Sequence, residues 1–65
     1  MNWQSMETAP KDGTEILLFG RLENGEPWFE VGFWGEAHDD SDGWTEGRDR
    51  APLDPLKWTA LEAPQ

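Results

Sequence analysis

Cysteine is absent from this chain. No disulfide framework can form, and a thiolate metal site is excluded. The single histidine, His38, cannot supply the remaining ligands that zinc would need. Basic residues are scarce. Five Lys and Arg face fourteen Asp and Glu, a net charge of −9. Such a chain repels nucleic acid and anionic membrane and is drawn to basic surfaces. Small sheets that bind single strands pair aromatics with a basic groove. That groove is missing, so no direct nucleic-acid binding is expected. Long apolar runs are missing too. The longest, Ile16 to Phe19, is far too short to span a bilayer. The N-terminus has no basic segment followed by an apolar stretch, so no signal peptide is expected. Lack of Cys suits a reducing cytoplasm.

The materials of catalysis are equally thin. Ser5 and Ser41 are the only serines, and His38 sits among acids in a polar stretch. A Ser-His-Asp arrangement needs a buried, oriented base. Glycosidase-type carboxylate pairs need a cleft, which a domain this small seldom provides. Gly32-Phe33-Trp34-Gly35 is not followed by the lysine of a phosphate-binding loop. The chain is read as non-enzymatic, with no cofactor.

What is present is aromatic: five Trp and three Phe in 65 residues. The length allows one domain, residues 1–65, which buries only about 60% of its unfolded surface. Each ring can bury about 150–250 Å², so a few rings make a small core. A monomer or a small homo-oligomer both fit, since self-association would bury more.

The densest aromatic run is Trp28-Phe29-Glu30-Val31-Gly32-Phe33-Trp34. Aromatic and β-branched residues without internal Pro favour a strand. Alternation puts Phe29, Val31 and Phe33 on one face, expected to be core. Trp28, Glu30, Gly32 and Trp34 fall on the other. Ile16-Leu17-Leu18-Phe19, bounded by Gly20, reads as a buried strand. Asn24-Gly25 between these runs predicts a type I′ hairpin turn, pairing Glu15–Leu22 with Pro27–Trp34. Pro27 cannot donate to a ladder, so it begins its strand. Pro10 and Asp12-Gly13 make a tight turn ahead of the first strand. Trp44-Thr45 is a short third strand, and Lys57–Leu61 a last one with Trp58 facing inward. Pro52 and Pro55 exclude a regular helix through Arg48–Leu56. Glu62 to Gln65 reads as a frayed tail. The expected fold is mainly β: a small single antiparallel sheet of three or four strands, with irregular loops and little or no helix. The expected core is Leu17, Phe19, Phe29, Val31, Phe33 and Trp58.

Two sites are conceivable. His38, Asp40, Asp42 and Asp49 fall at positions one, three, five and twelve of a calcium loop if Gly43 takes position six. His38 is a poor hard-cation ligand, Asp49 is a methylene short of the usual Glu, and no flanking helices are evident. Calcium binding is therefore the weaker reading, and no metal site is assigned. The second site is the acids themselves. Glu36, Asp39, Asp40, Asp42, Glu46 and Asp49 face Arg48 alone, a local charge of −5. Residues i and i+2 of a strand lie about 6.6–6.8 Å apart. On that scale, rows of carboxylates could imitate the phosphates that Lys and Arg of DNA-binding proteins meet.

Trp3, the Thr8-Ala9-Pro10-Lys11-Asp12-Gly13-Thr14 turn leading into Ile16-Leu17-Leu18, Gly32-Phe33-Trp34 and the Lys57–Pro64 tail together carry a resemblance. They resemble a family of small phage, prophage and bacterial proteins, the DUF551-like domain of unknown function. Glu62 departs from the family tail, and the acidic insert Glu36–Asp42 lies outside its pattern. The resemblance implies a β-rich fold and a phage or mobile-element setting, hence the cytoplasm of a host bacterium. It carries over no catalytic residue. In size, acidity and lack of Cys the chain is similar to DNA-mimicking anti-CRISPR proteins. The leading expectation is a phage-type inhibitor that blocks the basic DNA-binding surface of a host defence protein, such as a CRISPR effector subunit. Glu30, Glu36, Asp39, Asp40, Asp42 and Glu46 would meet its Lys and Arg, with Trp44 as an anchor. The alternative is a phage or host structural or assembly module without nucleic-acid mimicry.

Overall fold

The computed structural model describes residues 2–61; the tail expected to fray, Glu62 to Gln65, lies outside them. Five strands form one antiparallel sheet. They are β1 (Gln4–Ser5), β2 (Ile16–Arg21), β3 (Pro27–Glu36), β4 (Asp42–Glu46) and β5 (Lys57–Ala60), in the order β1-β5-β2-β3-β4. The expected antiparallel sheet is thus present. The strand beyond the expected three or four is β1, which at two residues is too short to show alternation. A single 3-10 turn, Met6–Thr8, is the only helical element among the described residues.

The β2–β3 hairpin forms where Asn24-Gly25 places it, with Leu18 opposite Glu30 and Phe19 opposite Phe29. Its loop differs from the expected two-residue turn. Gly25 N–H donates to Leu22 O, and Leu22 N–H to Glu26 O, both at 2.8 Å. Only Gly25 has positive φ, at 89°. This is a three-residue loop, a type I turn closed by a left-handed Gly. Asn24 Oδ1 holds it by accepting from Glu26 N–H at 3.0 Å.

Directly opposed residues share a sheet face, which settles what is inside. Leu18, fully buried, stands between Glu30 on β3 and Trp58 on β5. The core is Ile16, Leu18, Trp58 and Ala9, with Met6, Trp28, Trp44 and Leu53 packed against it. The strand residues among these are all even-numbered. The expected inside of β3 is therefore corrected: Phe29 is 55% and Val31 38% exposed, while Phe33 is only half-buried. Leu17 and Phe19, also expected in the core, share that odd-numbered face and are half-buried. Of the six residues expected inside, Trp58 alone belongs to the core.

Two irregular segments decide this. The chain after β1 brings Met6 and Ala9 onto the even face, and the chain entering β5 brings Leu53. Glycines make room beneath them. A Cβ on Gly20 would lie 2.2 Å from the Trp28 ring, so the ring rests directly on the Gly20 backbone. Trp58 ties the layers together: its indole N–H is shared between Ser5 O (3.1 Å) and Thr8 Oγ1 (3.2 Å). Ala51–Leu53 runs along the free edge of β4, with Leu53 N–H donating to Trp44 O at 2.8 Å. Pro52, which has no N–H to offer, sits within this edge segment.

Candidate functional site

The acidic stretch folds as the β3–β4 hairpin and the turn after it. Its first loop repeats the construction of the β2–β3 loop. Asp40 N–H donates to Ala37 O (3.0 Å) and Ala37 N–H to Ser41 O (2.8 Å). Asp39 takes the place of Asn24, accepting from the backbone and hydroxyl of Ser41. Asp40 takes the place of Gly25, at φ 68°. These Ser41 hydrogen bonds stabilise the charged form and hold the Asp39 carboxyl below the ordinary Asp range, with a small further pull from His38. Asp12 is lowered the same way by Thr14 in the turn before β2.

Glu36 and Asp42 close this hairpin directly opposite one another. Like charges so placed repel, at a cost of about 0.2–1 kcal/mol. One cation answers them. Arg50 donates to Glu36 O at 2.9 and 3.3 Å, and its guanidinium lies 3.9 Å from the Glu36 carboxylate. All of Glu36, Asp39, Asp40 and Asp42 are exposed. The hairpin end is thus four carboxylates on a hydrogen-bonded frame, with one surface ion pair of little energetic weight.

The other residues of the expected site lie apart. Glu30 is half-buried beside Leu18, six positions back along β3. Glu46 is half-buried at the far end of β4, where its carboxylate accepts from Asp49 N–H at 3.0 Å. Trp44 packs edge-on against Trp34, with centroids 5.1 Å apart, and against the core. Among the described residues no strand carries acids at i and i+2, so the carboxylates form a cluster at one hairpin end rather than a row along a strand. The calcium-loop alignment finds no counterpart either. Asp42 lies in β4 and Asp49 in the following turn, and no group of three metal-ligating side chains occurs among the described residues.

Sequence reasoning missed Arg50, which reaches fourteen positions back to Glu36. It also missed Lys11, whose ammonium lies 4.5 Å from the Trp34 ring centroid. Neither contact has a local signal. Arg50 takes a positive φ of 58° to end its turn, a conformation that residue type does not advertise. No helix among the described residues is long and apolar enough to cross a membrane. No protein family, curated protein or solved structure matches the chain.

Proposed function

We propose that the chain is a non-enzymatic binding protein whose acidic hairpin end docks on a basic, nucleic-acid-binding surface of another protein. The observation that supports this most is the grouping of Glu36, Asp39, Asp40 and Asp42 on one hydrogen-bonded, exposed hairpin. A fixed acid cluster loses little freedom on meeting Lys and Arg, and it steers the encounter. In the phage setting that the resemblance implies, the partner is a host defence protein of the CRISPR-effector kind, and the bound chain denies it DNA. Trp34 and Trp44, packed edge-on across the same two strands, supply the apolar margin beside the acids.

The test is capture from bacterial lysate by wild type and by Asp39→Lys/Asp42→Lys, with added duplex DNA as competitor. A DNA-binding protein held by wild type only, and released by DNA, is the expected result. Equal capture by both forms sinks the reading.

The structural or assembly module is the second reading, and a different observation favours it. The odd-numbered face of the sheet is apolar and largely open, as an assembly surface would be. Apolar docking survives about 0.5 M salt, whereas exposed charge pairing fades as the screening length falls to a few Å.

A further inference from the structure

Leu17, Phe19, Phe29, Val31 and Phe33 share the odd-numbered face, and Trp3 lies against it. Trp3, Phe19 and Phe29 form one aromatic cluster, with centroids 5.3–6.0 Å apart. Trp3 is 37% exposed, Phe29 55% and Val31 38%. Among the described residues both crossing segments pack on the opposite face. We infer that two copies of this chain pack together through this face, sheet against sheet.

Charge selects the occupant. Every acid at a strand position, Glu30, Glu36, Asp42 and Glu46, is even-numbered and belongs to the other face. The charged strand residues on the odd face are Arg21 and Lys57, both cations, and the Arg21 guanidinium carbon lies 5.4 Å from the Phe19 ring centroid. A molecule of charge −9 can approach its own copy with least repulsion by the one face whose strands carry no carboxylate.

Area agrees. At about 150–250 Å² per aromatic side chain, the exposed fractions leave on the order of 400 Å² of apolar surface. That is at the size where a patch on a monomer is often functional, roughly 300–600 Å². It is about half of the roughly 800 Å² each partner gives a standard interface, close to the apolar share of such interfaces. Ser5, Arg21, Lys57 and Thr59 on the same face supply a polar rim. Stacked sheets sit roughly 10 Å apart, a spacing that aromatic side chains fill. A chain of 65 residues without disulfides gains from oligomerisation the burial its own core cannot provide.

The test is sedimentation equilibrium of wild type from micromolar to millimolar concentration, at low salt and at about 0.5 M salt, where charge repulsion is screened. The expected mass rises towards twice 7.4 kDa, and salt strengthens the association by screening repulsion between like-charged copies. Phe29→Lys/Val31→Lys should stay at one chain mass while keeping the wild-type circular dichroism. The milder Phe29→Ser should weaken association at least tenfold. Asp39→Lys/Asp42→Lys should associate as well as wild type or better, which separates this inference from the acidic-surface reading. A wild type that stays monomeric throughout overturns the inference, as does an undiminished dimer in the folded double-lysine variant.

Discussion

Asp40 holds φ 68° where the neighbouring hairpin uses Gly25 at 89°. A side chain in that region costs about 1–2 kcal/mol, less for Asp than for most residues. Asp40→Gly should therefore raise stability by about 0.5–1 kcal/mol, read as a higher urea midpoint with unchanged slope. Gly25→Ala should lower it by a similar amount or more. Asp39 carries a pH signature. Its carboxyl is lowered from 3.8 by the Ser41 hydrogen bonds, so ionisation favours the folded chain. The contribution is complete above the unfolded Asp value and is lost as pH falls through the folded one. Asp39→Asn keeps an acceptor for Ser41 but cannot titrate. Wild-type stability relative to this variant should fall as pH drops below the normal Asp range. A carboxyl titration by NMR should place Asp39 below ordinary Asp residues.

At the scale of elements, the β2–β3 hairpin is legible in the sequence and the faces are not. Asn24-Gly25 between two apolar runs is a local signal for pairing β2 with β3, but the two-residue turn it predicts would shift the register by one residue from the observed pairing of Arg21 with Pro27. Trp44-Thr45 and Lys57–Leu61 read as strands without any turn signal, and they correspond to β4 (Asp42–Glu46) and β5 (Lys57–Ala60). Alternation chooses the inside of a strand only when one face is polar. In β2, Ile16 to Phe19 is apolar on both faces. In β3, Phe29, Val31 and Phe33 oppose Trp28 and Trp34. The choice was made by distant chain: Met6, Ala9 and Leu53 land on the even face. Gly20 and Gly32 are the sequence's trace of that choice, because both sit where a side chain would obstruct. A Cβ on Gly32 would lie 2.5 Å from Thr45 O and 2.8 Å from Leu18 Cδ1. Gly32→Ala should cost about 1–3 kcal/mol, since the carbonyl is backbone and cannot swing away. Trp58→Phe removes the shared indole donor to Ser5 and Thr8. It should cost about 1 kcal/mol and speed amide exchange in β1.

At the scale of the molecule, charge and apolar surface are separated. The acids of the candidate site gather at the β3–β4 end, where the exposed loop could be recognised in the sequence as a charge run. Their exact grouping could not, because Glu30 and Glu46 sit towards the other end of the β3–β4 ladder, away from Glu36 and Asp42. The odd-numbered face is apolar and open around Phe29 and Val31, while Thr45 is buried at its β4 side. Binding through the acids should weaken with salt, and pairing through the open face should strengthen, so the two surfaces answer salt with opposite sign.

The assignment of inside and outside underlies both surfaces, and paired unfolding of Leu18→Ala and Phe29→Ala tests it most directly. The measurement belongs in dilute protein that sediments as a single chain. Leu18 is fully buried and Phe29 more than half exposed. Leu18→Ala should cost about 2–5 kcal/mol, enough to unfold a domain this small. Phe29→Ala should cost about 1 kcal/mol or less, within the usual range for a surface site. A Phe29→Ala loss equal to that of Leu18→Ala would put the odd-numbered face inside and contradict the structure's assignment of both surfaces.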